Sequence, residues 1–211
     1  LVAVNTNYRD SELEYLIRQS ECENFCCIDG FLDYDYVAAL YRILPELEQA
    51  PCGELNCARF PHLRRVMSLR DMPHPGIISI SDILARAEDV PFEEYKAREA
   101  LVQPHDVVNM QYTSGTTGFP KGVMLSHVGI GNNGRAVAER QEMSEQDKLV
   151  IPLPLFHCMG CVLGVLGCVS SGAAMVILES FSPERVMGAI QDEKCTGIYG
   201  VPSTYISILG H

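Results

Sequence analysis

The chain has 211 residues, 47% of them hydrophobic and 20% charged, enough apolar material for one large domain or two small ones. Its formal net charge is −11, and the acids crowd into the first half: residues 1–100 carry 18 acidic and 10 basic side chains, residues 101–211 carry 9 and 6. No basic stripe offsets this excess, which argues against nucleic-acid or anionic-membrane partners and means that an anionic ligand needs a local positive site.

Residues 1–4 (Leu-Val-Ala-Val) read as a buried strand. With no initiator methionine ahead of it, the chain is expected to be a piece of a longer protein. Ser11-Glu12-Leu13-Glu14 reads as a capping box opening a helix with Leu13, Leu16 and Ile17 on one face. Residues 25–28 predict a second strand, ended by Asp29-Gly30. Residues 35–44 predict a helix, with Val37, Leu40, Tyr41 and Leu44 at helical spacing. Residues 45–61 are polar and hold Pro45, Pro51 and Pro61, so they read as a loop. A third strand is predicted over 63–69 and a helix from Ser81 to about residue 89. Residues 89–105, acidic and containing Pro91 and Pro104, read as a surface connection.

The alternation continues. A strand over 107–113, a loop, and a strand over 123–125 lead to a helix capped by Ser126, in which Gly129, Gly131 and Gly134 lower the intrinsic stability. A strand over 148–153 and a helix over 157–170 follow, the latter with Gly160, Gly164 and Gly167 able to admit a close neighbour. Then come a strand over 173–178, a helix opened by Ser182-Pro183-Glu184, a strand over 196–199 and a helix over 202–209. Residues 149–178 carry no formal charge, but Pro152, Pro154 and Ser170-Ser171-Gly172 divide them into a buried helix and a buried strand, so no transmembrane segment is expected. The expected fold class is α/β, parallel sheets with crossover helices, in two subdomains over 1–143 and 144–211.

The nine cysteines are odd in number and several lie in apolar runs, which predicts free thiols and a reducing, cytoplasmic setting. Cys158-x-x-Cys161 is half of a zinc or redox motif. No second pair follows at ligand spacing, so no metal site is expected. Cys52 and Cys57 flank a loop and carry no stronger signal.

The most informative stretch is Tyr112-Thr113-Ser114-Gly115-Thr116-Thr117-Gly118-Phe119-Pro120-Lys121-Gly122. Glycines let backbone N–H groups approach an anion, and hydroxyls and an ammonium complete its shell. The ordinary P-loop register fails: the glycine gap is too short, and no Ser or Thr follows Lys121. The apolar residues beyond the lysine make the cradle a β-loop-β turn. The competing reading is a plain Gly/Thr-rich hairpin turn, which has little use for so many hydroxyls and a lysine together.

This stretch resembles, without departure, the signature loop of the adenylate-forming superfamily of acyl- and aryl-CoA synthetases and peptide-synthetase adenylation domains. Asn5-Thr6-Asn7-Tyr8-Arg9 with Glu12-Leu13-Glu14-Tyr15 resembles an early segment of fatty-acyl-CoA ligases. Pro154-Leu155-Phe156-His157 and Gly200-Val201-Pro202 resemble later family motifs, in family order. The resemblance covers essentially the whole chain and implies the family's N-terminal domain.

It also implies chemistry in two halves: a carboxylate attacks the α-phosphate of ATP, giving acyl-AMP and pyrophosphate, and coenzyme A then displaces AMP. Thr113, Ser114, Thr116 and Thr117 would donate to phosphate oxygens, Gly115 and Gly118 would let the loop close, and Lys121 would supply a fixed charge. His157 would orient the substrate carboxylate, and Gly200, Val201, Pro202 and Tyr205 would line the acyl site, although helix packing accounts for these four equally well. His127 is expected to be structural. The substrate is expected to be a medium- or long-chain fatty acid. The carboxylate ligand of Mg2+ is expected outside these residues, and the chain alone is not expected to turn over. The alternatives are an aryl-CoA ligase, a peptide-synthetase adenylation domain, or a non-catalytic nucleotide- or acyl-binding module.

Overall fold

The computed structural model describes residues 1–71, 73–113 and 120–211. They form two compact units, Thr6–Val102 and a second made of Leu1–Asn5 with Gln103–His211. The boundary expected at 143/144 falls inside the second unit, in the turn after its first helix.

In the unit Thr6–Val102, helix α1 (Asp10–Ser20) buries Leu13, Leu16 and Ile17, as their spacing requires. It starts ahead of the expected box: the Arg9 backbone N–H donates to the Glu12 carboxylate at 3.0 Å, and Ser11 lies in the first turn. Strand β1 (Asn24–Cys27) alternates exposed and buried residues. A hairpin of β2 (Gly30–Phe31) and β3 (Tyr34–Asp35) leads to α2 (Tyr36–Ile43), capped by the Ala38 N–H on the Asp35 carboxylate at 2.8 Å. The stretch expected as a loop is not solvent-facing throughout. It opens with a 3-10 turn at Pro45–Gln49, and Leu47, Leu55, Cys57 and Phe60 are buried with Leu40, Leu44 and Leu63. Strands β4 (Arg65–Ser68) and β5 (Ile77–Ile78) complete a parallel sheet in the order β1-β4-β5. Ser79 caps α3 (Ile80–Ala87) in a reciprocal box with Asp82. Helix α4 (Phe92–Leu101) occupies the expected connection and buries no residue.

The second unit opens with β6 (Val107–Thr113) and β7 (Lys121–Ser126), an antiparallel pair. Residues 1–4 do not form the buried strand expected of them. Only Val2 bridges to Met110, and the Leu1 side chain is 84% exposed, because a single rung against one edge of β6 gives it nothing to pack under. Ser126 caps α5 (His127–Arg140), accepting from the Gly129 N–H at 3.2 Å. Strand β8 (Lys148–Ile151) precedes a π-helical segment, Met159–Leu166, that runs into α6 (Gly167–Ser171) where one α-helix was expected. Strand β9 (Ala174–Ile177), helix α7 (Pro183–Glu193), strand β10 (Gly197–Ile198) and helix α8 (Pro202–Leu209) complete it. The sheet is parallel in the order β10-β8-β9. Its core is Leu149, Ile151, Cys168 and Ala173, flanked by Met143, Leu153, Val165, Met175 and Tyr199. Among the described residues no helix is long and apolar enough to cross a membrane.

Candidate active site

The β6–β7 ladder places Thr113 directly opposite Lys121 as its last rung, after Tyr112 opposite Gly122. Both side chains are exposed, and Lys121 has no ion pair among the described residues. An unneutralised ammonium at a hairpin end, in a chain of net charge −11, suits a polyphosphate. Of the other predicted cradle residues, Ser114, Gly115, Thr116, Thr117 and Gly118 lie outside the described residues. The hairpin is anchored at its base: Met110 N–H donates to the Leu1 carbonyl at 2.8 Å, and His127 N–H to the Asp106 carbonyl at 3.2 Å.

The inner face of β6 holds two polar residues that the sequence reading passed over. Asn109 and Gln111 are 3% and 6% exposed, and Asn109 Oδ1 and Gln111 Nε2 have no hydrogen-bond partner among the described residues. The outer face of the hairpin is apolar, with Met124 66% exposed. The clue in the sequence is period-two alternation of polar and apolar residues, which identifies the faces without saying which is inside.

His157 follows the carboxyl end of β8. Its backbone N–H donates to the Pro154 carbonyl at 3.2 Å, and its carbonyl accepts from Cys161 N–H at 3.0 Å. Ring atom Nδ1 accepts from the Met159 backbone N–H at 3.3 Å, with Cys158 Sγ 3.6 Å from the same nitrogen. A ring nitrogen that accepts an amide proton has none of its own, so the neutral ring carries its proton on Nε2, the end directed away from the turn. That leaves an N–H donor for a carboxylate.

Strand order locates a switch point that local sequence patterns do not reveal. From β8 the chain crosses to β9 on one side and then to β10 on the other, so the winding reverses between β8 and β10. Such a switch point opens a crevice at the carboxyl ends of the strands, where ligands bind in α/β sheets. His157 follows β8, and Gly200-Val201-Pro202 follows β10, at that end of the sheet. Gly200 is needed there for packing: a Cβ would lie 2.8 Å from Thr204 Cγ2. The Tyr205 hydroxyl donates to the Ile198 carbonyl at 3.3 Å, which makes it a brace for β10. A cleft of about 360 Å³ runs from Asp147, Lys148 and Thr196 at the amino ends of β8 and β10 along β10 to Ile198 and Tyr199, and of the predicted residues only Tyr205 lines it. Hydrogen bonds from the Ser144 N–H and the Thr196 hydroxyl hold Asp147 below the usual carboxylate range, which marks it as a structural acceptor. Among the described residues no cluster of three or more His, Cys, Asp or Glu could hold a metal.

With this geometry established, the family profile of AMP-binding enzymes matches residues 1–211. The chain belongs to the AMP-binding enzyme family. It is 42% identical over 211 residues to the candidate acyl-CoA synthetase YngI of Bacillus subtilis, covering 100% of this chain and 38% of that protein. It is 37% identical over 215 residues to the mitochondrial medium-chain acyl-CoA ligase ACSF2 of Mus musculus, covering 99% and 35%. The chain thus spans little more than a third of these relatives. The crystal structure of ATP-bound MatB from Rhodopseudomonas palustris superposes with a TM-score of 0.71 at 22% identity, over 99% of this chain and 35% of that one. The fold is therefore the N-terminal α/β architecture of the adenylate-forming enzymes, with the hairpin and the parallel sheets that the family resemblance implies.

Proposed function

We propose that this chain is the phosphate-clamping part of an ATP-dependent acid–thiol ligase. The carrying observation is the Thr113–Lys121 rung, which sets an exposed ammonium, without an ion pair among the described residues, at one end of the family's signature stretch. In the first half-reaction the substrate carboxylate approaches ATP, which is also anionic. Lys121 and the donors around it offset that repulsion and stabilise the pyrophosphate as it leaves. His157, donating from Nε2 beyond the carboxyl end of β8, steers the carboxylate toward the α-phosphate. The thiol of coenzyme A then displaces AMP.

The acid we favour is a medium- or long-chain fatty acid. The similarity to a mitochondrial medium-chain acyl-CoA ligase supports this choice, and an apolar channel would gain about 0.8 kcal/mol per buried methylene. Val201 and Pro202, which follow β10, would line the entrance of such a chain.

The test is acid-dependent exchange of labelled pyrophosphate into ATP by the full-length protein, across fatty and aromatic acids. Exchange with fatty acids is expected. Exchange with none would sink the ligase reading, and exchange with benzoates alone would move it to the aryl class. Lys121→Ala is expected to slow exchange by ~10²–10³-fold, the effect of removing one charge-stabilising donor, with the thermal midpoint unchanged because the side chain is exposed.

A further inference from the structure

We propose that Cys158 and Cys161 form a reversible disulfide that controls the turn holding His157. The link to activity rests on the ligase reading above. Cys158 is exposed and stands at the N-cap of the π-helical segment, and Cys161 is half-buried one turn later. Side chains three residues apart on a helix share a face at about 5–6 Å between Cβ atoms, and a disulfide needs roughly 3.5–4.5 Å. Bond formation therefore tightens the first turn by about 1–2 Å.

That turn has no slack. Gly160, between the two cysteines, sits so close to the preceding strand end that a Cβ there would lie 2.4 Å from the Pro154 carbonyl oxygen and 3.0 Å from that of Leu153. Contraction is transmitted to residues 153–157. It also withdraws the Cys158 thiol from His157 Nδ1, where it lies at 3.6 Å, and pulls on the Cys161 N–H held by the His157 carbonyl at 3.0 Å. Three of the other thiols are shielded from this chemistry. Cys27, Cys57 and Cys168 are buried, and burial pushes Cys27 up to about 12.

The oxidant is hydrogen peroxide. The Cys158 thiolate attacks one peroxide oxygen and breaks the O–O bond, giving the sulfenic acid and water. The Cys161 sulfur then attacks the sulfenic sulfur, expelling a second water. Two thiols lose two electrons and two protons, and one peroxide is reduced to two waters.

Full-length protein is treated with hydrogen peroxide, and its peptides are mapped with and without dithiothreitol. The expected result is a species ~2 Da lighter that joins Cys158 to Cys161. With it come a fall of ~10–100-fold in acid-dependent pyrophosphate exchange, restoration by dithiothreitol, and displacement of the His157 ring resonance in histidine-labelled NMR spectra. Cys161→Ser should keep the exchange rate of the reduced protein and resist peroxide. Absence of the Cys158–Cys161 linkage would overturn the proposal, as would a linkage that leaves the His157 resonance unmoved, or equal peroxide sensitivity in Cys161→Ser. If the reduced protein exchanges with no acid, the ligase reading fails, while the peptide map and the His157 resonance still decide the disulfide.

Discussion

Lys194 and Gly172 hold nearly the same backbone conformation with unequal suitability. Each ends a helix in the left-handed region, Lys194 at φ 57° and ψ 44° after α7 and Gly172 at φ 76° and ψ 7° after α6. A Cβ costs roughly 1–2 kcal/mol there. Lys194→Gly is expected to raise stability by about 1 kcal/mol, and Gly172→Ala to lower it by a similar amount, both read from urea midpoints at constant slope. If both substitutions lower stability, the cap assignment is wrong. At this scale the sequence was most legible where the signal is local. Thr113 and Lys121 announce themselves because hydroxyls, glycines and one lysine share a short stretch. The polar inner face at Asn109 and Gln111 was illegible, since it depends on which side of the hairpin the rest of the unit packs. The tautomer of His157 was equally hidden, because the Met159 amide that sets it is aimed by the turn.

Helices α5 and α4 mark the limits of pattern reading at the scale of elements. Three glycines in α5 look alike in sequence, yet a Cβ on Gly131 meets nothing within 4 Å, and one on Gly134 lies 2.8 Å from Leu166 Cβ and 3.0 Å from its carbonyl carbon. Gly131→Ala should therefore stabilise by about 1 kcal/mol through helix propensity alone. Gly134→Ala should destabilise by about 1–3 kcal/mol, since the backbone it strikes cannot rotate away. Matching shifts in the two melting curves would show that the close contact of α5 with the π-helical segment is absent in solution. Helix α4 escaped prediction because it buries no residue and so has no apolar stripe. Its Glu, Lys, Ala and Arg residues favour helix through propensity, which periodicity does not register. The helix opened by Ser182-Pro183 was readable because cap and proline act within one turn.

Across the whole molecule, alternating strands and helices announced parallel sheets, but the order β10-β8-β9 and the division into two units depend on pairings between distant residues. The unit Thr6–Val102 carries its own pH sensor. Arg42 Nε and Nη2 grip the Asp10 carboxylate at 2.7 and 2.9 Å, and the Tyr34 hydroxyl donates to it as well. These bonds, Arg42 first, hold Asp10 at about 2 instead of 3.8. A carboxyl lowered by folding contributes stability that is complete above its unfolded value and is lost as pH falls through the folded one. The loss therefore falls between about pH 4 and pH 2. Amides of α1 and α2 should lose exchange protection across that window, and Asp10→Asn should weaken the pH dependence in these helices while leaving that of β8 intact. Parallel curves for the two proteins would exclude Asp10 as the sensor.

The rung formed by Thr113 and Lys121 fixes the two ends of the signature stretch. Closing a segment between two held ends costs free energy that grows only with the logarithm of its length, about 0.6 kcal/mol per doubling. Changes to the composition or length of that segment therefore need not disturb the sheets beneath it. If the proposed clamp is correct, that segment can diversify at little cost to foldability, and variants altered there should differ in pyrophosphate exchange long before they differ in yield.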